Sequence, residues 1–239
     1  MTTRLFLIRH AETTLSVEDR FAGSTDVLLS DRGREQVRGL AHRLATFRPA
    51  AIYASPMKRT VETAQILSAP HGLPVQTDAR LREIDHGRWE GLTRKEVEAQ
   101  FPMESGMWIA DPYNFAPIGG ETGRAVVERA VPAIKEIVAA HPNELIFAVS
   151  HKATIRLIIG YFLGIDLKGY RDRLDQRPAC LNALVLYNRD SATNFTNFAN
   201  PIQFVQFVAL LKKAQSHRRD RRERGEHGGK LSALRELCG

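Results

Sequence analysis

The chain has 239 residues, 43% hydrophobic and 26% charged, which is enough for one sizeable core. No run approaches the roughly 20 apolar residues that cross a bilayer, no leader precedes the first apolar run, and Cys180 and Cys238 lack metal or redox spacing, so the expectation is a cytoplasmic protein with reduced thiols. The formal charge of +7 is local: residues 212–239 hold nine Lys/Arg against four Asp/Glu, and the other 211 residues, with 25 against 23, are nearly balanced, so the basicity belongs to a tail rather than to the body.

Leu5-Phe6-Leu7-Ile8 reads as a short buried strand that stops at Arg9-His10. No helix-period pattern follows until after Ser30, so His10 is expected on a loop at a strand's carboxyl end, where open α/β sheets hold their ligands. Residues 14–29 have no clear period. Ser30 is a good N-cap, Asp31 suits a first turn, and Val37, Leu40, Ala41 and Leu44 recur at helical spacing, which predicts a helix over 31–46. Ala51-Ile52-Tyr53-Ala54 is a second strand ending at Ser55-Pro56, with a helix from about 58 to 68 and a brief strand at 75–77. Residues 81–91 lack a period, are rich in titratable groups and carry two glycines, the composition of a functional loop.

Thr93 caps a short helix to about 100. Residues 101–120 read as irregular, with Pro102, Pro112, Pro117 and Gly119-Gly120; their aromatics Trp108, Tyr113 and Phe115 fit either a lid or the closed edge of a core. A long helix is predicted over 122–140, with Pro132 as a kink site. Leu145-Ile146-Phe147-Ala148-Val149 has the unbroken apolar run of a central parallel strand, ends at Ser150-His151 and opens a helix to about 163. Strand-then-histidine thus occurs twice. Residues 181–187 read as a last strand, 188–200 as a polar loop and 201–213 as a terminal helix. The chain divides into one domain over 1–213, with a lid-like insertion at 101–120, and a basic, flexible tail over 214–239.

Phosphoryl transfer through a covalent enzyme intermediate needs a nucleophile, cations around the equatorial oxygens and an acid for the leaving alkoxide. His10 is a nucleophile if its second ring nitrogen donates to a fixed acceptor. Arg9 and Arg59 can fork onto phosphate oxygens, and His151 can donate one more bond beside the free N–H groups of a helix start. Glu83 is placed to be the acid, in competition with Asp85 and Glu90; His86 fits a substrate contact or a structural residue. Lys152 adds a cation at the mouth. Two Arg and two His supply positive charge without a metal.

Six stretches fall in order over residues 4 to about 165: Leu7-Ile8-Arg9-His10-Ala11-Glu12-Thr13; Leu29-Ser30-Asp31-Arg32-Gly33-Arg34-Glu35-Gln36; Tyr53-Ala54-Ser55-Pro56-Met57-Lys58-Arg59-Thr60-Val61-Glu62-Thr63-Ala64; Leu81-Arg82-Glu83-Ile84-Asp85-His86-Gly87-Arg88-Trp89-Glu90-Gly91; Gly119-Gly120-Glu121; and Val149-Ser150-His151. Together they resemble the histidine phosphatase superfamily, in its phosphoglycerate-mutase-like branch. The resemblance implies an α/β fold, a three-layer αβα sandwich with a mostly parallel central sheet. It implies His10 as phosphohistidine, Arg9, Arg59 and His151 around the phosphate, and Glu83 as proton donor. Three positions depart from the family pattern. Ala11 stands where Gly is frequent. Leu15-Ser16 replaces Trp-Asn, leaving Ser16 as a shorter donor. Ala22-Gly23 stands where Gln precedes the glycine, and Gly23 is kept as a phosphate contact.

The leading expectation is a metal-independent phosphomonoester hydrolase acting on a small phosphorylated metabolite, with no cofactor. A cofactor-dependent phosphoglycerate mutase is the alternative. The third reading is a non-catalytic scaffold whose basic tail binds nucleic acid or anionic lipid. Contact of the tail with nucleic acid is disfavoured, and a homodimer is left open.

Overall fold

The structure is a computed structural model that describes residues 2–188 and 202–208. In chain order the elements are β1 (Thr2–Arg9), α1 (Thr14–Val17), α2 (Asp31–Leu44), β2 (Ala51–Ala54), α3 (Lys58–Ser68), β3 (Val75–Thr77), α4 (Arg94–Gln100), α5 (Pro102–Ala110), α6 (Gly123–Ala140), β4 (Leu145–Ser150), α7 (Lys152–Phe162), α8 (Tyr170–Arg173), β5 (Leu181–Asn188) and β6 (Ile202–Val208). The strands form one sheet in the order β3-β2-β4-β1-β5-β6. The first four run parallel; β5 and β6 add antiparallel pairings at one side.

Side chains alternate along a strand, and this alternation builds two cores. Leu5, Leu7, Ile146 and Ala148 face α6 and α7, meeting Val126, Ile134, Ile155 and Ile158. Phe6, Ile8, Ile52, Phe147 and Val149 face α2 and α3, meeting Val37, Leu40, Ala64 and Leu67. All six residues of β4 are buried, as its unbroken apolar run requires. The three-layer arrangement is the expected one.

Three expectations are corrected. Residues 202–208, expected within a terminal helix, form β6, paired antiparallel to β5. Their β-branched and aromatic run suits a sheet edge, and a short apolar run does not separate helix from strand by period alone. Within 101–120, Pro102–Ala110 is helical: Pro102 occupies the first turn, where its missing N–H costs no hydrogen bond. A short helix over Thr14–Val17, closed by a Thr13/Ser16 capping box, also interrupts a stretch read as irregular. Most of the polar loop expected at 188–200 and the whole tail over 214–239 lie outside the described residues.

Candidate active site

Strand register brings the site together. In the parallel pair β1–β4, Arg9 lies opposite Ser150, and in β2–β4, Ala54 lies opposite Val149. The residues that follow these ends, His10, His151 and Ser55, therefore emerge side by side from neighbouring strands about 4.8 Å apart. The two imidazole centroids are 5.2 Å apart, and Ser55 Oγ is 2.8 Å from His151 Nε2.

The loop after His10 is pinned from two sides. The Glu12 carbonyl accepts from Ser30 N (2.9 Å), and Glu12 N donates to Gln36 Oε1 (3.2 Å). A Cβ on Gly33 would sit 2.2 Å from that carbonyl, so only glycine lets α2 approach this closely. Ala11 N donates to Thr63 Oγ1 (3.3 Å). The second motif therefore serves the first: its residues fix the backbone that carries His10.

His10 Nδ1 lies 2.7 Å from the Ala11 carbonyl. A carbonyl only accepts, so Nδ1 carries the proton and Nε2 keeps its lone pair. Nε2 has no protein partner among the described residues, and His10 lines a cavity of about 380 Å³. Burial, with the charges of Arg9 and Arg59, holds the His10 pKa well below the ordinary 6.5. The imidazole is thus neutral near pH 7, with the nucleophilic nitrogen uncovered.

Arg9 and Arg59 line the same cavity. Arg9 donates from Nη1 to the Gln176 carbonyl (2.6 Å), and its buried Nε has no partner among the described residues. A buried donor left unpaired costs about 1–3 kcal/mol. Arg59, on the first turn of α3, donates from Nη1 to the Thr25 carbonyl (2.7 Å), from Nη2 to the Gly23 carbonyl (2.9 Å) and from Nε to His151 Nδ1 (3.2 Å). Its guanidinium is fixed before any ligand arrives.

The loop at 23–25 that fixes Arg59 is itself held by Glu90. Its carboxylate accepts from Ser24 N (2.5 Å), Ser24 Oγ (2.8 Å) and Thr25 Oγ1 (2.5 Å). Burial alone would raise the Glu90 pKa, yet these bonds outweigh it and keep the group below 4.5. A Cβ on Gly23, whose φ is +44°, would fall 2.1 Å from Glu90 Oε1. Gly23 thus lines the cavity and offers its carbonyl to Arg59.

Glu83 sits at the start of α7. Its Oε1 accepts from Ile84 N (3.0 Å) and Thr154 N (3.1 Å), and its Oε2 from Ala153 N (3.2 Å). The helix-start N–H groups expected to be free for a phosphate therefore hold Glu83, which corrects that expectation. Oε2, with one such bond, keeps a free lone pair. Of the three carboxyls that competed for the acid, Glu83 lines the cavity with His10. Asp85 instead accepts from Gly87 N (2.7 Å), and Glu90 secures the loop at 23–25.

His151 is placed differently from the expectation. Its Nδ1 accepts from Arg59 Nε, so its Nε2 carries the proton, which goes to Ser55 Oγ. Burial, and then Arg59 and His10, push its pKa well below 6.5. Both ring nitrogens are engaged, and the ring backs Arg59. Ser16 lines the cavity, but its hydroxyl donates to the Thr13 carbonyl (2.9 Å) and accepts from Thr13 N (2.8 Å). Lys152 lines the cavity.

Several lining or bracing residues carried no legible signal. Gln176 and Asn182 exchange side-chain amide bonds at 2.9 Å and place the carbonyl that meets Arg9. Tyr170 and Arg171 close one wall. Trp108 answers to both earlier readings: it packs with Trp89 and Val97 in a third small core and also lines the cavity. Phe115 packs against that same core.

A neutral His10 with Nε2 uncovered, Arg9, Arg59 and Glu83 line one cavity at the carboxyl edge of the parallel strands, an arrangement that fits a phosphatase. The chain belongs to the histidine phosphatase superfamily (branch 1), whose family model matches residues 5–198. It is 34% identical over 167 residues to phosphoserine phosphatase 1 of Hydrogenobacter thermophilus, covering 70% of this chain and 79% of that protein. It is also 34% identical over 174 residues to the glucosyl-3-phosphoglycerate phosphatase of Mycolicibacterium vanbaalenii, covering 70% and 77%. A solved structure of a mycobacterial glucosyl-3-phosphoglycerate phosphatase in complex with VO3 superposes with a TM-score of 0.71 at 30% identity, over 77% of this chain and 91% of that one. The family match reaches past residue 165, where the sequence motifs end.

Proposed function

We propose that the protein hydrolyses phosphomonoesters of small metabolites in two steps, through a phosphohistidine on His10 and without a metal ion. The observation that carries this reading is the His10 tautomer: Nδ1–H is given to the Ala11 carbonyl, and Nε2 is bare between Arg9 and Arg59. Nε2 attacks phosphorus as the P–O bond to the alkoxide breaks. The Glu83 carboxyl delivers its proton to that oxygen through Oε2. Water then attacks the phosphohistidine, the P–N bond breaks, and Glu83 takes back a proton from the water. Arg9 and Arg59 hold the equatorial oxygens, where charge collects, with the Gly23 N–H closing the near side and Lys152 the mouth; the Ser16 hydroxyl, which donates to the Thr13 carbonyl, reaches the phosphate only if that bond exchanges. His151 keeps Arg59 in place and donates to the phosphate if its bond to Ser55 exchanges.

The two guanidinium charges support metal independence, because they supply the field a divalent cation would otherwise give. Among the described residues no helix is long and apolar enough to cross a membrane. The free Cys180 thiol supports a cytoplasmic setting. Incubation with 3-phosphoglycerate, with and without chelator, tests the reading. Equal release of inorganic phosphate in both is expected. Formation of 2-phosphoglycerate instead makes the enzyme a mutase, and activity lost to chelator and restored by metal overturns metal independence.

A further inference from the structure

The phosphate takes the His10 end of the cavity, and the leaving alcohol takes what lies beyond Glu83, which protonates its oxygen. Past Arg9 and Arg59 the wall is balanced in charge. Lys152, Arg156 and Arg171 stand against Glu83, Asp19 and Asp172. Arg20 is paired with Glu18 and Glu96, and Arg94 with Glu98. A balanced wall gives a second charge on the substrate no advantage, which leaves the uncharged polar groups to discriminate.

Tyr170 is such a group. It opens α8, and its ring belongs to the core that holds Ile155 and Ile158 of α7. The first turn of that helix, through Ala153 N and Thr154 N, holds the Glu83 carboxylate. Tyr170 is only 2% exposed, yet it lines the cavity. Its Oη has no hydrogen-bond partner among the described residues, and it is not sealed off as Arg9 Nε and His71 Nε2 are. The ring is thus packed while its one polar atom opens to the cavity. Burial, and then the Glu83 carboxylate, push the phenol pKa up, so the group stays a neutral O–H. A neutral phenol donates one hydrogen bond and accepts another, which complements an alcohol hydroxyl. The other two hydroxyls of the wall, on Thr13 and Ser16, are tied into the capping box of α1.

We propose that Tyr170 is a specificity-determining residue: its phenol pairs with a hydroxyl of the leaving alcohol, so the preferred substrates are phosphomonoesters of polyols rather than of plain alcohols. This rests on the phosphatase reading above, and the test separates the two. kcat/KM is measured for two pairs of equal charge, 2-hydroxyethyl phosphate against ethyl phosphate and glycerol 3-phosphate against n-propyl phosphate, with p-nitrophenyl phosphate as the reference. The hydroxylated member should be favoured about fivefold or more in at least one pair, the size of one neutral hydrogen bond. In Tyr170→Phe, which keeps the ring and its packing, that preference should fall to less than half. A packing role alone would slow both members alike and leave the preference where it was. If the variant turns over too slowly to read, the same ratio is taken from calorimetric Kd values. A preference below fivefold in both pairs, or at least half of it kept in Tyr170→Phe, overturns the assignment and leaves the phosphatase intact. Turnover of p-nitrophenyl phosphate with none of the four alkyl esters does the same. No turnover of any of the five overturns the phosphatase reading, and this one with it.

Discussion

His10 and His151 look alike in sequence and differ in the fold. Each follows a strand, each is buried, and their rings are neighbours. Yet His10 gives one nitrogen to a backbone carbonyl and keeps the other bare, whereas His151 has one nitrogen bonded to Arg59 and the other to Ser55. The same local pattern thus leaves one ring nitrogen open in one place and none in the other. Partners distant along the chain take both nitrogens of His151, whereas the carbonyl of the next residue takes only one of His10; a neutral imidazole donates through one nitrogen alone.

Substitutions should separate the pair. His10→Ala is expected to lower kcat by about 10⁵-fold, since no other group can form the intermediate. Glu83→Gln should lower kcat by about 10² to 10³-fold on an alkyl phosphate. On p-nitrophenyl phosphate the loss should be under about tenfold, because nitrophenolate leaves without an acid; equal losses on both substrates would remove Glu83 from the acid role. His151→Leu, which strips Arg59 Nε of its acceptor, should cost about 10²-fold. His151→Asn, whose Oδ1 can replace Nδ1 as acceptor, should cost about tenfold. If His151→Leu were as inert as His10→Ala, the two rings would be equivalent and the contrast would fail.

The smallest expected effect is on stability. Both rings have folded pKa values below 6.5, so below that pH the unfolded chain binds protons that the native state refuses. Stability should be intact above about pH 6.5 and decline as pH falls, by at most about 1.4 kcal/mol per pH unit for each ring. Urea unfolding at pH 7.5 and 5.5 reads this, and His151→Asn should have the shallower slope. An identical slope in the variant would show that His151 does not titrate as described.

The sequence disclosed the first five strands of the sheet and the histidines at its carboxyl edge because both rest on local signals: apolar runs that end at His10 and His151, and an N-cap at Ser30. It also placed Glu83 among its rivals, a choice the cavity wall supports. It did not disclose that Glu83 occupies the helix start expected for the phosphate, or that His151 is fully engaged, because hydrogen bonds across 70 to 96 residues leave no periodicity. Pro102 misled through its double nature, a breaker inside a helix and a favoured first residue of one. Residues 202–208 misled because a short apolar run has no period long enough to read.

The central claim is that one imidazole nitrogen carries the phosphoryl group in transit. Rapid acid-avoiding quench of the enzyme with ³²P-labelled substrate, followed by peptide mapping, tests it directly. Acid-labile, base-stable label on the peptide containing His10, and none in His10→Ala, is the predicted result; unlabelled protein during steady turnover, or label on another residue, contradicts it.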